Sequence, residues 1–175
     1  IATLSVVAIS SHQGHSDTAL LLLAGVAINA IASASVGLLT YIADDNQLRD
    51  LTFWSMGSTA KTQWKELLVA APLIMLSSAL LLRYRKVLNC LLMGERVAEQ
   101  VGYDVKKIKL QLIVLTTIIV GTSVSISGVI FFIGLVVPHL VRLCCGPDHK
   151  HLLPLSALAG AILLLLADNL AKVLV

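Results

Sequence analysis

The chain has 175 residues, of which 57% are apolar and only 13% charged, with a mean hydropathy of +0.90. Soluble domains carry roughly 25% charged residues, so this composition excludes a soluble globular domain and describes a polytopic membrane protein. The net charge of +3 says little by itself; where the basic residues fall says more.

Residues 1–9 are apolar, but at ~1.5 Å per residue they cannot cross ~30 Å of hydrocarbon. They read as the tail of a helix, and the chain as a piece of a longer protein. Residues 10–17 (SSHQGHSD) form a polar turn. His12 and His15 lie three apart, a spacing open to a metal, but no third ligand is near and loop histidines are the simpler reading. The first complete span covers residues 18–43, capped by Ser16 or Asp17. Small and polar residues four apart (Gly25 and Asn29, Ala30 and Ala34, Ser33 and Gly37) allow close helix approach. Asn29 either faces a pathway or makes an interhelical hydrogen bond.

Residues 44–66 form a mixed polar interval with Asp44, Asp45, Asp50 and Glu66 against Arg49, Lys61 and Lys65. Phe53, Trp54 and Trp64 lie within it, as aromatics do at a membrane interface. A span over residues 67–82 follows, containing Pro72. The basic interval, residues 83–109, then holds Lys or Arg at 83, 85, 86, 96, 106, 107 and 109. The positive-inside rule makes this interval cytoplasmic and residues 44–66 external. The turn at residues 10–17 should share the cytoplasmic side, yet has no Lys or Arg. Within the basic interval, residues 91–102 (LLMGERVAEQVG) have the pattern of a short amphipathic helix closed by Gly102. Such a helix lies at a membrane face, where it either meets another protein or merely joins two spans.

A single helix over residues 110–145 would be ~54 Å long, too long for one crossing. Both ends are basic, which calls for two short spans, residues 110–124 and 128–145. Thr117, Gly121 and Ser125 give the first a close-packing face. The second contains Phe131, Phe132 and a proline at 138 where it should kink. His139 lies near its cytoplasmic end, satisfied by solvent or a carbonyl rather than serving a proton relay. The last span covers residues 152–173, with Asp168 and Lys172 as an i, i+4 pair at the outer interface. Cys90, Cys144 and Cys145 lack ligand or disulfide spacing and read as unpaired thiols. No phosphate-binding loop, nucleophile–base pair or metal cluster is present, so any ATP must be bound by another chain.

Several stretches resemble the permeases of ABC importers for cobalamin, haem and iron–siderophores. They are LLLAGVAIN (residues 21–29), FWSMGS (53–58), LLMGERVAEQVG (91–102), SGVIFFIGLVVPHLVRLCCGPDH (127–149) and LLPLSALAGAILLLLAD (152–168). FWSMGS and the preceding ADDNQLRDLT look most like the haem-importing subgroup. The resemblance implies an all-α polytopic transmembrane bundle, a partial type II permease fold in a bacterial inner membrane, with no catalytic residues. It implies a short external helix within residues 44–66 beside the translocation path. Residues 91–102 become a coupling helix seated on the ATPase, with Leu92, Gly94, Glu95, Ala98, Glu99 and Gly102 as its contact set. Asn29, Arg49, Phe53, Trp54 and Lys61 are the candidates for the path or for docking a binding protein. The implied partners are an ABC ATPase subunit holding ATP and Mg, a periplasmic substrate-binding protein, a second permease copy and membrane lipid. No nucleic acid is implied, and no cofactor or metal on this chain. A secondary transporter would instead place charges or broken helices at the midplane, and a purely structural subunit would not need the polar helix.

Overall fold

The computed structural model describes residues 18–57, 62–130 and 132–174. The expectations for residues 1–9 and 10–17, with His12 and His15, and for Lys61, Ser58 and Phe131, lie outside the described residues. Within them the chain is all helix and turn. In order come α1 (Thr18–Ile42), α2 (Asp45–Met56), α3 (Trp64–Arg83), α4 (Arg85–Leu91), α5 (Glu95–Gln100), α6 (Val105–Ser127), α7 (Ile133–Cys145) and α8 (His149–Leu174). Four of these, α1, α3, α6 and α8, are long and apolar enough to cross a bilayer.

Two antiparallel pairs make the bundle, α3 with α6 and α7 with α8. At one end of the first pair the Tyr84 hydroxyl donates to Gln111 Oε1 at 2.8 Å; at the other, Lys65 and Val69 face Thr122 and Ile126. Ile133, at the start of α7, lies against Gly160 and Leu164 of α8. Among the described residues the buried apolar ones are small or medium: Ala70, Val87, Ala98, Val105 and Val137. Leucines such as Leu23, Leu68 and Leu143 are more than 70% exposed. In lipid this is no penalty, because hydrocarbon solvates leucine and the gain lies in close backbone approach at small residues. Polar side chains within the long helices bond back to their own turn: Ser35 to Ile31 O, Thr40 to Val36 O, Thr117 to Ile113 O and Asn169 to Leu165 O. Each thereby avoids an unmet donor in hydrocarbon.

The helix ends differ from the expected spans for identifiable reasons. Helix α6 starts at Val105 rather than at 110, because the Asp104 carboxylate accepts the Lys107 amide at 3.2 Å and starts the helix there. Helix α8 starts at His149 rather than 152, capped in the same way by Asp148, which accepts the Lys150 amide at 2.9 Å. Helix α3 begins at Trp64, three residues before the expected span. The expected crossing at residues 128–145 is helical only over Ile133–Cys145, ~20 Å of helix, so α7 alone does not span a bilayer. Helix α6 ends at Ser127, with Gly128 at φ 71°, and α7 opens after Phe132 at φ 67°. The single helix expected over residues 91–102 is also broken. Helix α4 runs through Leu91, a turn holds Leu92 and Met93, and Gly94 at φ 113° and ψ 154° adopts a conformation open in practice only to glycine. Only then does α5 begin.

A candidate coupling hub and a candidate path

Helices α4 and α5 form a compact hub at one end of the bundle. Ala98 of α5 is fully buried, whereas Glu95, Arg96, Glu99 and Gln100 face outward. A six-residue helix has little stability of its own, so its ends must be fixed. Gly94 opens it. Its other end is a Schellman motif: the Gly102 amide donates to Glu99 O at 2.9 Å and the Tyr103 amide to Ala98 O at 3.1 Å, with Gly102 at φ 99°. Lys109 of α6 pairs with Glu95, fastening α5 to the long helix. Of the expected contact set, Glu95, Glu99 and Gly102 thus lie on one exposed element. Gly94 is its cap, Leu92 sits in the preceding turn, and buried Ala98 is its anchor.

A second fastening escaped the sequence reading. The Asn89 amide nitrogen of α4 donates to Asp148 Oδ1 at 2.7 Å. Its oxygen accepts the His149 backbone amide at 2.9 Å and lies 2.7 Å from His149 Nδ1. Because the oxygen already accepts a backbone N–H, the amide orientation is fixed, and the imidazole must carry its proton on Nδ1. The Lys150 amide and the Asn89 amide hold the Asp148 carboxyl below the usual carboxylate range. The Lys107 ammonium and amide do the same for Asp104. The Asp-His pair opening α8 is a legible cap signal. Its partner Asn89, fifty-nine residues away, is not.

The opposite end carries α2. The Arg49 guanidinium lies 5.7 Å from the Phe53 ring centroid, a cation–π contact. Phe53 and Trp54, each about half exposed, line an open pocket of about 540 Å³ with Asp50, Ile126, Ser127 and Gly128. Backbone meets backbone beside it. A Cβ on Gly128 would overlap the Trp54 carbonyl oxygen and lie 3.0 Å from the Gly57 Cα; one on Gly57 would lie 2.9 Å from Val129 O. Only glycine permits that approach. Arg49, Phe53 and Trp54 are therefore gathered on α2, next to the α6–α7 link. Asn29 is exposed on α1, which is not among the closely packed pairs. Among the described residues no group of three or more His, Cys, Asp or Glu could hold a metal ion.

The whole chain, residues 1–175, matches the FecCD transport family. It is 53% identical over 165 residues to the hemin transport system permease protein HmuU of Yersinia pestis, covering 94% of this chain and 49% of that protein. It is 40% identical to the cobalamin import system permease BtuC of Halobacterium salinarum, covering 98% and 46%. To the vitamin B12 import system permease BtuC of Vibrio cholerae it is 44% identical, covering 89% and 46%. The chain thus spans about half the length of the relatives it matches. A solved structure described as an inward-facing conformation of an ABC transporter, assigned to the metal-chelate type, superposes with a TM-score of 0.92 at 35% identity. That match covers 99% of this chain and 55% of the other. The fold is therefore an all-α membrane-spanning bundle of the ABC importer type II permease kind, and the chain belongs to the FecCD transport family.

Proposed function

We propose that this chain is part of the permease subunit of an ATP-driven ABC importer that carries haem or another iron chelate across a bacterial inner membrane. The observation that carries the reading is the hub. A short helix, capped at both ends by glycine and pinned to α6, presents Glu95, Glu99 and Gln100 on its outer side. That is a rigid contact for a partner, and in a FecCD chain the fitting partner is the ATPase subunit that binds ATP and Mg. The permease has no catalytic role; it converts closure of the ATPase pair into movement of its helices. On this reading the hub is cytoplasmic, in accord with its basic residues. The α2 end then faces outward, where a substrate-binding protein delivers cargo, and the path runs beside Phe53 and Trp54. A second permease copy completes the channel.

Haem is favoured by the 53% identity to the hemin permease; a cobalamin substrate is the second reading, supported by 40–44% identity to cobalamin permeases. His149 and His151 lie at the hub end, away from the α2 pocket, so haem would pass without a histidine ligand among the described residues of the pocket. The test is reconstitution of the full-length permease with its ATPase and binding protein in vesicles. ATP-dependent hemin accumulation, outcompeting cobalamin and ferric siderophores, is the expected result. Cobalamin uptake in its place selects the second reading, and a permease that retains no ATPase removes both.

A further inference from the structure

We propose that Asn89 is a positioning residue that makes the hub and the head of α8 one mechanical unit, so that load on α5 is delivered to α8 as well as to α6. The proposal rests on the importer reading above and adds to it a second output of the hub. Glu95–Lys109 joins α5 to α6 through one ion pair of long, rotatable side chains, with Glu95 45% exposed. Asn89 is different in kind. Its single short amide closes three hydrogen bonds, to the Asp148 carboxylate, the His149 backbone and the His149 ring, within 2.7–2.9 Å. All three engage the first residue of α8 or its cap, so α8 cannot tilt at that end without breaking them. Val87, two residues earlier on α4, is buried, so the amide stands on a packed element. Helix α8 in turn packs along α7 and reaches Ile133 beside the α6–α7 link. A displacement of the hub is thereby conveyed to the far end, where Gly128 meets α2.

The bonds permit a swap that tests them rather than the residue. In Asn89→Asp two carboxylates face each other at hydrogen-bond distance and repel. In Asn89→Asp with Asp148→Asn, the new carboxylate still accepts both His149 donors. The new amide, after a small rotation, donates to it and accepts from Lys150. Asp148→Asn alone keeps every acceptor. The assay is the full-length transporter in vesicles, reading ATP hydrolysed, substrate accumulated and assembled ATPase per permease. We expect Asn89→Asp to assemble and hydrolyse ATP but to lose roughly tenfold in uptake per ATP, as befits hydrogen bonds to a charged group. The double variant and Asp148→Asn should both lie within about twofold of the parent. Normal uptake per ATP in Asn89→Asp overturns the proposal. So does a double variant that assembles yet stays uncoupled, which remains decisive if the single variant fails to accumulate. Failure of the parent protein itself to bind an ATPase would instead strike the importer reading.

Discussion

The two ends of the bundle are held by opposite means. At the hub, side chains do the joining: Asn89 to Asp148 and His149, Lys109 to Glu95, Tyr84 to Gln111. At the α2 end the join is main chain against main chain, Gly57 and Gly128 touching with no room for a side chain. Polar bonds between side chains can break and re-form as elements shift, at a net ~1 kcal/mol each. Hard backbone contact has no such latitude, because packed atoms yield little. One end is therefore held by directional bonds that paired substitutions can rewire, and the other by a fixed spacing.

The harshest break of that contrast is Gly128→Val. Its side chain would collide with the Trp54 carbonyl at a backbone φ of 71°, and overpacking together with positive φ costs about 2–4 kcal/mol. We expect α2 to leave its seat, read as faster thiol labelling of a cysteine at Phe53 and as loss of uptake. Unaltered labelling would show that the contact is not rigid. Next in size is Gly102→Val, which strains the Schellman motif by about 1–2 kcal/mol. Amide exchange at Gly102 and Tyr103 should accelerate, with weaker ATPase binding and an α2 end left as it was.

Smaller again is the Glu95–Lys109 pair, partly exposed and worth about 0–1 kcal/mol to stability. Its value is diagnostic. Glu95→Arg should uncouple ATP hydrolysis from uptake while the protein remains folded. Combining it with Lys109→Glu restores the pairing across α5 and α6 but leaves a cation at position 95. Continued uncoupling assigns Glu95 to the ATPase contact; recovery assigns it to α6 alone. The smallest effect is that of pH. Asp148 and Asp104 have depressed folded pKa values, so their contribution is complete above the ordinary carboxylate pKa of ~3.9 and fades as pH falls through the folded values. Amide protection at Lys107 and Lys150 should stay level from pH 8 to 5 and decline only below about 4.

Much of this was legible in the chain because membrane chemistry writes it in composition. The long apolar runs announce α1, α3, α6 and α8, and Gly102 announces the end of α5. The break at Gly94 was harder to read. A glycine inside an amphipathic pattern is compatible with a helix, and only the backbone shows φ of 113°. The break after α6 was expected from length and end charge at residues 125–127, but apolar periodicity continues through them, and the helix runs on to Ser127 before Gly128 at φ 71° ends it. Asp104 and Asp148 could have been taken as caps, since an acid before a helix is the commonest start signal. The Asn89 contact could not. Local patterns carry information over a few turns, and this one joins two segments through a tertiary geometry that no spacing encodes.

The glycine contact at the α2 end has a consequence for how such chains diverge. A charged or amide pair can wander through substitution, since a change on one side can be answered by the complementary change on the other, as the swap at Asn89 and Asp148 illustrates. Gly57 and Gly128 have no such recourse. A side chain on Gly128 would need the space of the Trp54 carbonyl and the Gly57 Cα, and one on Gly57 that of the Val129 carbonyl, and backbone cannot shrink to make room. Apart from Gly94 and Gly102, which hold its backbone, the hub's side-chain bonds can thus be exchanged pairwise, while the seat of α2 stays put. Around that fixed seat Asp50, Phe53 and Trp54 can be exchanged for other side chains without moving the helix that bears them, which on the proposed function would be a route to new cargo on an old frame.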